Sequence, residues 1–472
     1  MKVKLGFAPT RRNVFSREDA LKQKELIENK LREWRVDFVG LDWLNEEGLL
    51  FDERDVPKVV EKFMSEKVDA LFLPHVNFGT EDAVAKLARA LNVPVLLWGP
   101  RDESPLPDGT RLRDTQCGLF ATSKVLRRFG VKFTYIVNTS VDDPVFERGF
   151  KNFIKAASVV KTFRRMRVGV ISTRPRDFWT VIHNEGELVE RFGIELVPTT
   201  LVDIVDSAQK MLDSKEVREE FEKLKEKVDF SEVGGEYFKK VLALKVVMKS
   251  WAEEWNLTAI AIQCWTALQK AFGIMPCFAH SLLSDEGLPV ACETDVHGAI
   301  SMALAQSATL YSKPSFLADL TIRHPQNENA ELLWHCGPFP LSLAKGKPKV
   351  GRHFILESHS PGVSEWEIVG GDISILRFDG DHGEYSVFVS HAKGTTGPYN
   401  KGTYLWVEFK NWPKIEEKII YGPYIHHVAG VHDKIAPVIY EAVKYMEGVK
   451  FDPGEPDEEE IRAWLRGEVE NI

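Results

Sequence analysis

The strongest constraint on the fold is a repeated alternation of strand-length apolar runs with amphipathic helical segments in the first third of the chain. "KVKLGFAP", "VDFVGLD", "VDALFLPHVNFG" and "VPVLLWGP" are the apolar runs. Between them stand "SREDALKQKELIENKLREW", "DERDVPKVVEKFMSEK" and "TEDAVAKLARALN". In the first of these helical segments Ser16 stands at the N-cap, with acidic residues behind it at helical spacing. Strands buried on both faces read as continuous apolar runs, and strands alternating with helices predict a parallel sheet covered by helices on both sides.

The rhythm restarts after "KTFRRM". "RVGVIS", "IELVPTT", "LTAIAIQCW" and "LPVACETD" are apolar strand candidates, separated by helical stretches that include a long charged segment from Asp213 to Trp255. From about residue 309 the texture changes. "KVGRHFILESHS", "WEIVGGDISILRFDG", "GEYSVFVSHAKG" and "GTYLWVEFKNW" alternate with a period of two and are punctuated by glycine-rich turns. The expected α/β architecture is two Rossmann-like parallel-sheet αβα domains, residues 1–165 and 166–308. An antiparallel β-barrel domain with a terminal helix follows over 309–472.

Composition removes several function classes. With 472 residues, several domains are expected, and 44% apolar with 28% charged residues is an ordinary folded composition. A net charge of −9 argues against nucleic acid as a partner. No apolar run approaches the ~20 residues that span a bilayer, and "MKVKLGFAPT" lacks the features of a signal peptide. The cysteines, Cys117, Cys264, Cys277, Cys292 and Cys336, have no CxxC spacing. A cytoplasmic protein without membrane or nucleic-acid partners is the expectation.

Chemistry concentrates in four stretches. In "ACETDVHGA" the residues Glu293, Asp295 and His297 alternate at the end of an apolar strand, where open α/β sheets place their ligands. Asp295 also stands where it would cap the following helix; that role leaves Glu293 unexplained. In "SFLADLTIRH" Asp319 interrupts an apolar run, a costly position for an unpaired carboxylate. A metal ion or a partner such as Arg323 would remove the cost. "LLWHCGPFP" supplies His335 in an apolar setting, where a satisfied core histidine is the commoner outcome. "YIHHVAGVH" supplies His426, His427 and His432, and of two adjacent strand residues only one faces a given site. Carboxylates and imidazoles without matched thiolates suit Mn²⁺ or Mg²⁺ (or Co²⁺) over zinc.

These stretches resemble the metal-site region of the L-fucose isomerase and L-arabinose isomerase superfamily. "ACETDVHGAISMA" followed by "SFLADLTI" is similar to the segments in which fucose isomerases carry a glutamate and an aspartate ligand, and "IHH" to a C-terminal histidine element. The resemblance implies a metal-dependent aldose–ketose isomerase working through an ene-diol, with Glu293 and Asp319 catalytic. It implies Glu293, Asp319 and His427 as metal ligands, with His426 the alternative third ligand, His335 a possible further one, and Asp295 and His297 orienting the shell. "GFAPTRR" is similar to the fucose isomerase N-terminus, where Arg11 and Arg12 would reach a neighbouring subunit. The family implies a homo-oligomer, a trimer or hexamer, acting on a small-molecule sugar.

Sugar-contacting candidates are Gln263 and Trp265, at the end of a second-block strand. Arg174, Arg176, Trp179 and His183 in "STRPRDFWTVIHNEGEL" are further candidates, against the simpler reading of a surface loop. Two other functions fit the same sequence: a non-catalytic sugar-binding or regulatory protein, and an isomerase of a modified sugar or sugar acid.

Overall fold

The computed structural model describes residues 3–356 and 359–472. Residue 2 of the expected opening strand and residues 357 and 358 of the expected strand over 349–360 lie outside the described residues. The chain groups into two compact units. One holds residues up to Lys161 with Tyr440–Tyr445 and Glu458–Ile472; the other holds Thr162–Ile439 and Met446–Asp457.

The first unit is built on a five-stranded parallel sheet. Strand Lys4–Phe7 lies between Asp37–Val39 and Ala70–Pro74, and Val95–Trp98 and Thr134–Tyr135 follow beyond the latter. The period of two distributes its apolar side chains to two cores. Ala70 and Phe72 pack with helices Arg17–Glu33 and Pro144–Arg164 on one face. Leu71 and Leu73 pack with helices Val56–Ser65, Glu81–Leu91 and Thr115–Arg128 on the other. Ser16 caps the first helix by accepting from the Asp19 N–H. The chain's end returns to this unit, where Glu441 accepts from Thr134 and the Tyr445 hydroxyl donates to the Val95 carbonyl.

The second unit holds a four-stranded parallel sheet, ordered Glu195–Thr199, Arg167–Ile171, Ala259–Ile262, Val290–Ala291. It also holds a closed six-stranded barrel of Ser315–Arg323, Ala330–His335, Asp372–Asp381, Glu384–Thr395, Thr403–Glu408 and His427–Val431. Pairing of Glu384–Thr395 with Thr403–Glu408 closes the ring. Ile260 and Ile262 of the parallel sheet share one apolar core with Phe316, Ile373, Ile375 and Leu405 of the barrel. Helix Val296–Ser307, buried along its whole length, is packed between them.

The αβα and barrel architecture expected from the sequence is present, with local corrections. The strand expected through Asp295 stops at Ala291. Among the described residues of the strand expected over 349–360, Lys349–Arg352 are strand.

Candidate active site

Glu293 owes its position to a sharp turn. Strand Val290–Ala291 ends at the carboxyl edge of the parallel sheet, and Glu293 and Thr294 both adopt left-handed backbone, with φ of 56° and 57°. A β-branched residue there is strained, and consecutive strained residues persist only where the surroundings over-determine them. The turn is fixed by the Thr294 N–H donating to the Ile262 carbonyl and the Asp295 N–H to the Cys292 carbonyl. It throws the Glu293 side chain inward, where the residue is 4% exposed.

Barrel register supplies the facing groups. Asp319 stands directly opposite His427 on one neighbouring strand and opposite Trp334, next to His335, on the other. Four side-chain atoms then converge. His335 Nε2 is 3.7 Å from Glu293 Oε2 and 3.9 Å from Asp319 Oδ1. His427 Nε2 is 3.8 Å from Glu293 Oε2 and 3.4 Å from Asp319 Oδ1. Glu293 Oε2 and Asp319 Oδ1 are buried and have no hydrogen-bond partner among the described residues. Donor atoms held about 2.1 Å from one cation stand about 3.0–3.5 Å apart. The imidazole–carboxylate separations are slightly more open than that, and the donor chemistry fits a divalent ion. His335 therefore joins the convergent set and is not a plain core histidine. Arg323 is not the partner of Asp319, because its guanidinium pairs with Glu416 and Glu328 on the exposed side.

Behind the convergent atoms lies a buried ionic chain. His427 donates from Nδ1 to Asp295 Oδ2 at 2.9 Å, which leaves Nε2 to face the site. Asp295 also caps helix Val296–Ser307 by accepting from the Gly298 N–H at 2.9 Å. Asp295 thus caps the helix and holds His427 Nδ1 at the same time. A Cβ on Gly298 would lie 2.4 Å from Asp295 Oδ2, so this cap requires glycine there. Arg377, 1% exposed, forks onto both Asp295 oxygens and donates from Nε to Asp379 at 2.7 Å. Asp379 in turn accepts from His297 Nδ1 at 2.9 Å. His297 thus touches none of the convergent atoms and belongs to the far end of this chain.

The electrostatics set two carboxylates against two imidazoles in a buried space. Burial pushes the Glu293 carboxyl up, but the His335 and His427 imidazoles outweigh it and hold the group below its ordinary value. Burial pushes both imidazoles down, yet the surrounding carboxylates raise His427, and Asp319 is the leading cause that raises His335 well above the usual histidine range. A cation bound among them would supply positive charge and leave both rings neutral.

The remaining candidates separate by location. His426 is exposed, its ring 4.2 Å from that of His427, and within reach of Asp319. Gln263 accepts from Ser172 at 3.2 Å. Trp265 is half-buried between the Phe178 and His353 rings. A cavity of about 520 Å³ opens at the carboxyl edge of the parallel sheet, lined by Ser172, Arg174, Arg176, His183 and Thr294. Thr294 directly follows Glu293. Trp179 is 72% exposed and stacked by Arg174. Arg11 is engaged inside the first unit, where Glu47 and Asn13 accept from its guanidinium and Phe51 lies beneath it.

Residues 6–164 match the family model described as fucose/sulfoquinovose isomerase, N-terminal domain. A sulfoquinovose isomerase of Priestia aryabhattai is 24% identical over 401 residues, covering 84% of this chain and 88% of its own. One of Alkalicoccus urumqiensis is 27% identical over 284 residues, 60% of this chain and 62% of its own. These matches support an L-fucose isomerase-like superfamily for the chain. It is an enzyme of the aldose–ketose isomerase class. Among solved structures, a periplasmic solute-binding protein from Actinobacillus succinogenes with bound D-allose aligns at 12% identity. It covers 65% of this chain and 92% of its own with a TM-score of 0.18, too slight a likeness to bear on function.

Arg377 and Asp379, which hold Asp295 and His297, are not singled out by the sequence. The available signal was that "DISILRFDGD" is apolar at both parities, which a strand with a wet face is not. A charge in such a strand points to a buried network. Among the described residues, no helix is long and apolar enough to cross a membrane.

Proposed function

We propose that this enzyme interconverts the aldose and ketose forms of a sugar bearing an anionic group, of the sulfoquinovose type. The reaction depends on a divalent cation held by Glu293, Asp319, His335 and His427. The observation that carries the metal reading is the pair of buried carboxylate oxygens, without a hydrogen-bond partner among the described residues and facing two imidazole Nε2 atoms. When bound, a divalent cation such as Mn²⁺, Mg²⁺ or Co²⁺ supplies Lewis-acid polarisation of the sugar carbonyl. The chain's own residues do the rest. Glu293 and Asp319 present oxygens from different elements, and one of them takes the proton from one carbon of the C1–C2 pair and returns it to the other through an ene-diol, while the hydroxyl proton passes between the two oxygens. Asp295, held by Arg377, fixes the tautomer and orientation of His427. The cysteines are all free thiols, which suits a cytoplasmic setting.

Removal of bound metal with EDTA is expected to abolish turnover, and Mn²⁺ to restore it. Ketose formation read against metal content checks this; full turnover by protein shown to be metal-free would refute the dependence.

The anionic substrate is supported by the names of the relatives and by the arginines of the cavity beside Thr294. Arg176 is almost fully exposed, with Asp177 3.8 Å away. The Arg174→Ala/Arg176→Ala double variant is expected to raise KM for sulfoquinovose by about 10–100-fold, the value of one charge-assisted hydrogen bond, while KM for neutral L-fucose is unaffected. Initial rates with both sugars measure this, and an equal change for the two would remove the arginines from substrate reading. A sugar-binding protein without turnover has no use for the convergent carboxylate–imidazole set, so that alternative is not favoured.

A further inference from the structure

Glu293 has two carboxylate oxygens in two different chemical settings. Oε2 faces the imidazoles, whereas Oε1 has the Cys264 thiol at 3.4 Å. A thiol is a weak donor, so this oxygen of a buried carboxylate is poorly satisfied. Cys264 and Cys292 leave the carboxyl ends of the neighbouring parallel strands Ala259–Ile262 and Val290–Ala291, and both are fully buried. The two Sγ atoms and a Glu293 oxygen all lie within 4.8 Å of one another. On the far side of Cys292, His280 Nδ1 lies 3.4 Å from Sγ, and its Nε2 has no partner among the described residues.

We propose that Cys264, Cys292 and Glu293 Oε1 form a second metal site, one that takes a soft or borderline divalent ion such as Zn²⁺, Cd²⁺ or Co²⁺ and shares Glu293 as a bridging carboxylate with the imidazole side. Zinc bonds of about 2.3 Å to sulfur and 2.0 Å to oxygen at a tetrahedral angle place those atoms about 3.5 Å apart, matching the Cys264–Glu293 separation. Thiolate donors select this class of ion over Mn²⁺ and Mg²⁺, so the two halves of the cluster sort metals by chemistry. Binding is balanced as M²⁺ plus two thiols giving a bis-thiolate complex and two protons, with no change of oxidation state. His280, donating from Nδ1, stabilises the Cys292 thiolate as it forms. The site rests on the thiol side of Glu293 alone and holds whichever ion occupies the imidazole side.

Metal-free protein is titrated with Co²⁺ and followed by near-ultraviolet absorption, with the bound ratio read by equilibrium dialysis. A thiolate–cobalt charge-transfer band is expected, which carboxylate and imidazole donors do not give, together with two Co²⁺ per chain. Cys264→Ser and Cys292→Ser each remove most of the band, and the double variant reduces the ratio to one. Absence of the band in the unaltered protein overturns the proposal without recourse to any variant. Its survival in the double variant does so too, because the thiolate would then come from another cysteine, such as Cys336, whose Sγ is 3.5 Å from Cys277. Neither readout uses isomerase turnover, so failure here is distinct from failure of the proposed function.

Discussion

Glu293→Gln is expected to give a folded protein whose isomerase turnover is lower by about 10³-fold, some 4 kcal/mol of transition-state stabilisation. The substitution conserves shape, so the left-handed turn and its backbone hydrogen bonds to Ile262 and Cys292 have no reason to move. It removes one negative charge from the convergence of Glu293, Asp319, His335 and His427 and can replace a cation-facing oxygen with an NH₂ donor. Both consequences act on metal retention and on proton transfer together. Three measurements separate them from a folding defect: bound Mn²⁺ per chain, ketose formed from a sulfonated sugar, and the thermal midpoint. Turnover within a factor of a few of the unaltered enzyme would remove Glu293 from the chemistry. Loss of turnover accompanied by a collapsed midpoint would show a structural residue instead.

The parts of the site were unequally legible in the sequence. Asp319 could be found because a carboxylate in "FLADLTI" contradicts its apolar surroundings, and the structure accounts for it by leaving its Oδ1 buried and without a hydrogen-bond partner among the described residues. Glu293 could be found because capping accounts for only one of the two acids in "CETD". Its aim could not, since that depends on two consecutive left-handed residues that no side-chain pattern encodes. His335 and Arg323 show the opposite error. Each was weighed by its nearest neighbours in sequence, whereas barrel register decides that His335 turns in and Arg323 turns out to Glu416. The αβα rhythm and the glycine-punctuated strands were legible because burial on two faces and burial on one face leave different periods. Closure of the barrel depends on the pairing of Glu384–Thr395 with Thr403–Glu408, which is long-range register and has no local signature.

Arg377→Met carries the largest expected effect on stability, a loss of about 3–5 kcal/mol and about 10 °C in the thermal midpoint at neutral pH. Arg377 is buried and is the guanidinium between Asp295 and Asp379, themselves 1% and 8% exposed. Removing it leaves two buried carboxylates with only their histidine and backbone partners. The pH dependence tests the cause. In the unaltered protein burial pushes Asp295 and Asp379 up, but the guanidinium wins and holds both below the ordinary carboxylate value, Asp295 well below. Groups depressed in this way contribute stability that is complete above about pH 4 and is lost as the pH falls through their lower folded values. Without the guanidinium, burial governs and the folded-state values rise above the unfolded ones. The sign then reverses: the variant binds more protons folded than unfolded, so it gains stability as the pH is lowered from 7.5 towards 5. Arg377→Lys keeps the charge without the fork and falls between the two. Denaturant melts across that pH range measure the slope directly. A variant whose stability tracks the unaltered protein in both size and slope would mean that Arg377 fills space and does not hold Asp295, and with it the orientation of His427, in place.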